Sequence, residues 1–249
     1  FKEKEVFPSI IPVPVIQSES KAFKDNLKIE LKSQNSNDEI YFMINDKDDH
    51  LAKKIFVKYT KPFEITQTST VEVYVKTNEG QSNTISATFF KKPNNYSINI
   101  KSSYNPQYHA GGPEGLLDGI LGTDNWRKGD WQGYQSQDFE AVVDLKEVKP
   151  VKEISARFLQ DSRSWILMPA KVDYYISEDN VNFTYFGSVN NTLDPKLEEN
   201  TILNFTSNEI KGKKARYVKV IAKNFGKLPE WHQGAGGDAF IFIDEITIK

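Results

Sequence analysis

The first ninety residues alternate apolar and polar positions with a period of two, in short runs: Leu27, Ile29 and Leu31; Ile40, Phe42 and Ile44; Ile55, Val57 and Tyr59; Val71, Val73 and Val75; Ile85, Ala87 and Phe89. Successive side chains on a strand point to opposite faces, so each run predicts one strand with a single buried face. The stretch Pro8-Ser-Ile-Ile-Pro-Val-Pro-Val-Ile16 interleaves proline with β-branched residues. It predicts an extended lead-in or edge strand, because proline fixes φ and donates no ladder hydrogen bond. Polar, turn-rich connections such as 33–38 and 77–82 separate the runs, and no stretch holds a helical period of useful length.

The same pattern resumes further on, predicting strands over 141–145, 154–159, 172–176, 184–187, 202–205, 217–221 and 239–249. Between the halves, Lys91-Lys-Pro-Asn-Asn-Tyr96 combines charge, proline and asparagine and reads as a linker, with a boundary near residue 93. The chain is therefore expected to be all-β, with one domain over 1–92 and a second over 93–249. Six or seven short strands imply an immunoglobulin-like β-sandwich for the first. The second is a sandwich or a barrel on its strand pattern alone.

Composition narrows what such a chain does. Its 249 residues carry 32 basic and 34 acidic side chains, a formal charge of −2, which gives no long-range field to gather nucleic acid or an anionic membrane. The absence of cysteine excludes disulfides, thiolate nucleophiles and cysteine-type zinc sites. No apolar run approaches the roughly 18 residues of a membrane span, and Phe1-Lys-Glu-Lys-Glu lacks the apolar core of a signal peptide; a soluble, excised fragment with no membrane insertion is expected. His50, His109 and His232 are far apart in sequence and show no zinc or nucleophile spacing, and no phosphate-binding glycine loop is present.

One stretch is neither helix nor strand. Residues 109–134 are rich in glycine, which permits unusual backbone angles, yet hold Trp126, Trp131 and Tyr134, enough apolar area to fix an ordered loop. Asp118 and Thr123 offer oxygens there, a donor type suited to a hard cation such as calcium. The run Leu-Leu-Asp118-Gly119 followed by Thr123 and Trp126 resembles the signature of discoidin-like, or coagulation-factor C-type, domains, known in bacteria as family 32 carbohydrate-binding modules. Further along, 139–145, the Ile176-Ser-Glu-Asp-Asn-Val-Asn-Phe183 hairpin, Ala215-Arg-Tyr-Val-Lys-Val220 and Ile243-Asp-Glu245-Ile246 resemble that family's later motifs in order. Asn180 stands where the family's hairpin has glycine, and one extra residue separates Thr123 from Trp126. The resemblance covers about residues 93–249. It implies a β-sandwich jelly roll whose last strand lies beside the loop, and a structural calcium held by the side chains of Asp118, Thr123 and Glu245 with carbonyls of Gly115, Ile120 and Asp244.

The first domain resembles the small non-catalytic immunoglobulin-like domain that follows the barrel in bacterial chitobiases and β-hexosaminidases, through 13–16, Ile40-Tyr-Phe-Met-Ile-Asn-Asp46, Tyr59-Thr-Lys-Pro-Phe63 and Thr70-Val-Glu-Val-Tyr-Val75. Together the resemblances imply a carbohydrate-binding accessory region of a bacterial glycoside hydrolase that is secreted, periplasmic or at the cell surface. Its partners would be a glycan containing N-acetylhexosamine or galactose and the parent's own catalytic domain. The other reading is a structural spacer that packs on that domain and binds no sugar. The Asp244-Glu245 pair could instead be catalytic, as in family 20 hexosaminidases. Neighbours on a regular strand face opposite ways, however, and no barrel accompanies them, so this chain is expected to lack activity.

Sugar rings stack their C–H groups on aromatic faces while polar side chains reach their hydroxyls. Two loops offer that combination: one with Asp161, Arg163 and Trp165, and a long glycine-rich one with Trp231 and His232. Trp231 and His232 lead this set. Trp131 and Tyr134 are further candidates that could equally be core, and Trp126 is expected to be core.

Overall fold

A computed structural model describes residues 10–46 and 55–249. His50 and the first residues of the proline-rich lead-in lie outside the described residues. The chain divides into two compact units, Phe1–Lys92 and Pro93–Lys249.

In the first unit each alternating run lies in or beside a strand. One sheet orders β1 (Val15–Gln17), β3 (Leu27–Lys32) and β6 (Phe63–Ile65). The other orders β2 (Ala22–Phe23), β9 (Ile85–Lys91), β7 (Ser69–Thr77), β4 (Glu39–Asp46) and β5 (Val57–Lys58), with β8 (Gly80–Gln81) paired to β7. Leu27, Ile29 and Leu31 from the first sheet share one core with Ile40, Val71, Val73 and Val75 from the second, which makes a two-sheet sandwich. The end of the lead-in forms edge strand β1, which begins just after Pro12 and Pro14, so those two prolines cost no ladder bonds.

The second unit adds β10 (Ser97–Ile100), β11 (Gln132–Gln135), β12 (Phe139–Gln160), β13 (Lys171–Ser177), β14 (Thr184–Asn190), β15 (Thr201–Lys223) and β16 (Phe240–Ile248). Sequence patterning predicts separate strands at 139–145 and 154–159, and again at 202–205 and 217–221. The structure joins each pair into one long strand, because β12 and β15 pair along both halves, with register slips between Asp144 and Lys149 and between Val151 and Glu153. Lys146 and Gly212 take positive φ at these irregularities, which break the regular ladder and let each long strand serve two sheets. The early half of β12 pairs with β10 and the late half with β16, so β10–β12–β15–β13–β14 faces β11–β16–β12–β15. β10 is a strand that the patterning misses.

Ala141, Val143, Tyr174, Val218 and Val220 meet Ala156, Phe158, Phe205, Ile241 and Ile243 in the core between these layers. The Tyr174 hydroxyl donates to the Phe205 carbonyl across the gap at 2.5 Å. Alternation fills this core along the regular stretches, as at Phe139, Ala141, Val143 and Leu145 of β12 and Val218, Val220 and Ala222 of β15, where every second residue turns inward. A second, smaller cluster lies on the outer face of the second layer, where Leu159 and Phe242 are covered by Tyr108, Trp126 and Trp131 of the 101–131 loop. Among the described residues no helix is long and apolar enough to cross a membrane.

All four tryptophans, Trp126, Trp131, Trp165 and Trp231, belong to the second unit, so tryptophan emission, excited apart from tyrosine, follows the unfolding of that unit. Replacing the fully buried Phe158 by Ala removes the ring that packs on Phe205 and should lower the stability of that unit by about 3–5 kcal/mol in urea titrations followed by tryptophan emission. A loss under about 1 kcal/mol would show that Phe158 is not part of a close-packed core.

Candidate functional site

The last strand carries an irregularity that organises the loop above it. In β16, Ile241 and Ile243 face the core, and so does Ile246, three positions on rather than two. Arg157 of β12 pairs with Glu245 and Phe158 with Ile243, leaving Asp244 as an extra residue in a β-bulge. A bulge breaks the alternation, so Asp244 and Glu245 both turn to the outer face, toward the loop. This corrects the expectation that neighbouring carboxylates here point opposite ways, which holds only for a regular strand. The phase slip between Ile243 and Ile246 is visible in the sequence and marks the bulge.

Both carboxylates are buried and meet backbone donors of the loop. Glu245 accepts from the Gly119 N–H at 3.1 Å and Asp244 from the Gly122 N–H at 2.7 Å. Asp118, also buried, accepts from the Ile120 N–H at 2.7 Å. Arg157 pairs with Asp244 through one nitrogen and donates to the Gly122 carbonyl through another at 2.9 Å, so one guanidinium fastens the loop to the bulge. Trp131 lies over that guanidinium, 5.3 Å from its ring centre, and donates its indole N–H to the Thr123 carbonyl at 2.9 Å. Gly122 must be glycine, since a Cβ there would run into the Trp131 indole. Burial pushes Glu245 up to about 9, with the Asp118 and Asp244 charges acting the same way against the Gly119 hydrogen bond. Asp244 rises to about 7 by burial, opposed by Arg157.

The expected cation set is brought together in part. Asp118 and Glu245 approach closely enough to repel, across the Gly119 backbone. Gly115, buried, and Ile120, half-buried, lie in the same loop on either side of Asp118. The Thr123 side chain is exposed, and its hydroxyl accepts from the Asn125 N–H at 3.3 Å. The Asp244 carboxylate is engaged by Arg157, although its carbonyl rather than its side chain belongs to the expected set. Among the described residues no group of three His, Asp or Glu side chains is placed to hold a metal ion. A cation here would thus depend on hydroxyl and carbonyl oxygens beyond Asp118 and Glu245. Those two residues fit a hard cation in kind, being carboxylates that repel each other in a desolvated place.

The aromatic candidates divide sharply by exposure. Trp131 is 1% exposed and Tyr134 fully buried, with its hydroxyl donating to Gln132 at 2.7 Å; neither presents a face to a sugar, which corrects their place in the binding set. His232 is 6% exposed and both ring nitrogens are spent: Nε2 donates to the Ser162 carbonyl at 2.6 Å and Nδ1 accepts from the Gly234 N–H at 2.9 Å. It pins the 161–165 and 228–238 loops together and is corrected from sugar contact to loop fastener. Asp161 is buried too, accepting from the Trp126 indole at 3.0 Å and the Ser164 hydroxyl at 2.8 Å. Trp126 itself is half-buried in the outer cluster. Trp165 is half-buried, with Gly234 and Gly237 against its ring; any side chain at Gly234 would strike it. Trp231, by contrast, is 41% exposed, and Arg163 is exposed as well. Patterning misses Lys196, whose ammonium lies 5.6 Å from the Trp231 ring centre, and Arg157, which sits 87 residues from its carboxylate.

The result is an all-β sandwich whose gathered loops, rather than its strands, carry the exposed chemistry. The chain belongs to the F5/8 type C domain family, whose model matches residues 98–238, more than half of its length. Similar solved structures include the CBM32-1 module of a family 31 glycoside hydrolase from Clostridium perfringens, with 16% identity over 63% of this chain and 95% of that one and a TM-score of 0.40. Another is the family 32 module of C. perfringens NanJ in complex with galactose, at 16% identity, 61% and 92% coverage and a TM-score of 0.40. The C-terminal domain of a chitobiase from Bacteroides fragilis is 17% identical over 61% of this chain and 93% of that one, with a TM-score of 0.39. No curated protein matches the chain.

Without added metal, the raised Glu245 gives a signed pH dependence. Between its ordinary value of 4.5 and about 9, the folded carboxyl keeps a proton that the unfolded one has released, so stability should fall as pH rises through that window. Asp144, held down to about 2 by Arg216, acts only at lower pH. Thermal melts in chelator at pH 5, 7 and 9 check this. The melting temperature should drop steadily in the wild type and less in Glu245→Gln, and a profile that rises with pH contradicts it.

Proposed function

We propose that this chain is a non-catalytic carbohydrate-binding accessory region of a secreted bacterial glycoside hydrolase, with a parent of the β-N-acetylhexosaminidase type and a first unit of the immunoglobulin-like kind. The observation that carries the reading is Trp231. It is a large aromatic left 41% exposed on a loop that His232, Gln233 and Gly234 fasten to its neighbour, in a domain of the F5/8 type C family. A rigid exposed ring is what a pyranose face stacks on, and holding the ring in place beforehand spares the ordering cost of binding. Trp165 and Arg163, on the loop that His232 and Gln233 fasten to this one, would complete the proposed platform. The role is to hold a parent enzyme near its glycan, so no residue here moves a proton or breaks a bond. The glycan class expected is one containing galactose or N-acetylhexosamine; the NanJ module's structure holds galactose.

Binding of the full chain to a glycan array tests this. Replacing Trp231 by Ala should cost the bound sugar at least about tenfold in affinity, as losses above 1.4 kcal/mol do. If the array stays blank while wild type and variant melt alike, the spacer reading takes its place.

A structural calcium at Asp118 and Glu245 belongs to the same proposal. Asp118 and Glu245 are buried carboxylates that approach each other across the Gly119 backbone, and a divalent cation would offset their mutual repulsion. Thr123 and the carbonyls of Gly115, Ile120 and Asp244 would supply the remaining oxygens. Bound there, calcium would tie the loop to the last strand by charge as well as by hydrogen bonds. Since only the folded chain holds the site, calcium at a hundredfold excess over its dissociation constant should add about 2.7 kcal/mol of stability. Asp118→Ala should remove that increment, and melting curves that chelator leaves unmoved would refute the site.

A further inference from the structure

We infer that the Trp231 platform takes an acidic sugar, one whose pyranose carries a carboxylate or sulfate, in preference to its neutral counterpart; this rests on the glycan-binding reading above. The ring that a sugar would stack on already has a cation in contact with it, the Lys196 ammonium 5.6 Å from its centre. Lys196 comes from the 191–200 loop, where Asp194 accepts from its backbone N–H at 2.9 Å and so fixes the turn that presents it. A second cation, Arg163, projects from the adjoining loop, whose Arg163 carbonyl accepts from Gln233, two residues beyond Trp231, at 2.9 Å. Both side chains are exposed, and neither forms an ion pair among the described residues.

Two of the acids in these loops are engaged. Asp161 is buried and spent on Trp126 and Ser164, and Asp194 on its turn. Glu198, Glu199 and Glu230 are exposed in the same loops, so the region is no general positive field and would not gather anions from a distance. What discriminates is contact. A neutral sugar stacking on Trp231 displaces an ammonium from the ring and offers it only neutral hydroxyl acceptors. An acidic sugar keeps that ammonium as a partner for its own charge, and Arg163 adds a planar fork suited to a carboxylate or sulfate. The preference is thus local and should be screened by salt.

Matched pairs separate this from the parent reading. The full chain is titrated with uronate oligosaccharides against their methyl esters, and with sulfated against unsulfated glycans, by isothermal titration calorimetry, which reads binding with or without Trp231. The charged member of at least one pair should bind about tenfold more tightly at low salt, the sum of two exposed charge contacts. The carboxylate and sulfate arms then tell which anion is read. Lys196→Gln should shrink the ratio between members of a pair while leaving affinity for the neutral one unchanged or improved, Arg163→Gln should shrink the ratio as well, and Trp231→Ala should abolish both. Equal or tighter binding of the neutral members, still lost in Trp231→Ala, overturns the acidic preference and leaves the glycan platform standing. Binding of neither kind overturns both.

Discussion

A β-bulge one residue long holds the functional end of the second unit together. By doubling Asp244 and Glu245 against the single Arg157, it turns two carboxylates onto a face that a regular strand would give to only one of them. Buried charge is costly unless answered, and the answers come from the loop: N–H groups of Gly119 and Gly122, and the Arg157 guanidinium that also grips the Gly122 carbonyl. The loop is irregular because its backbone donors must point down at those oxygens rather than at each other. Once fastened, it lays Tyr108, Trp126 and Trp131 over Leu159 and Phe242, so an apolar cluster forms on what would otherwise be the exposed outside of a sheet.

That fastening reaches the exposed platform through named contacts. The Trp126 indole donates to Asp161, which opens the turn containing Ser162 and Arg163. The Ser162 carbonyl takes the His232 ring nitrogen, and His232 is the neighbour of Trp231, its ring 5.6 Å from the tryptophan's. Each of these groups is spent on holding a loop and not on a ligand. The division follows exposure: side chains buried between loops set their positions, while Trp231, Lys196 and Arg163, exposed to solvent, keep their chemistry available.

Much of the fold was legible because period-two alternation is a direct image of a half-buried strand, and it marked β3, β4, β7 and β9 as well as the halves of β12 and β15. It could not show that those halves are continuous, since the polar stretch between them reads like a loop unless its pairing partner is known. The bulge is legible as the extra step between Ile243 and Ile246, which simple alternation passes over at Asp244 and Glu245. Trp131, Tyr134 and His232 could not be told from platform residues by type, because the same large amphipathic side chains serve a core and a binding face; only burial separates them. Arg157 and Lys196 carried no local signal at all. Each acquires its meaning from a partner brought in by the fold, Asp244 for one and Trp231 for the other.

The two kinds of cation also differ in what they can be worth. Arg157 is largely withdrawn from water beside a fully buried carboxylate, where removing one partner strands the other and costs several kcal/mol. Lys196 and Arg163 stand in solvent, where a charge contact contributes about 1 kcal/mol at most and fades with salt. Stability therefore resides in the ionic contact that no ligand can reach, and selectivity in those that barely affect the fold. Such an arrangement lets exposed loop residues change without unfolding the sandwich beneath them, since the bulge, the loop it fastens and the covered outer sheet depend on none of the three side chains that face solvent.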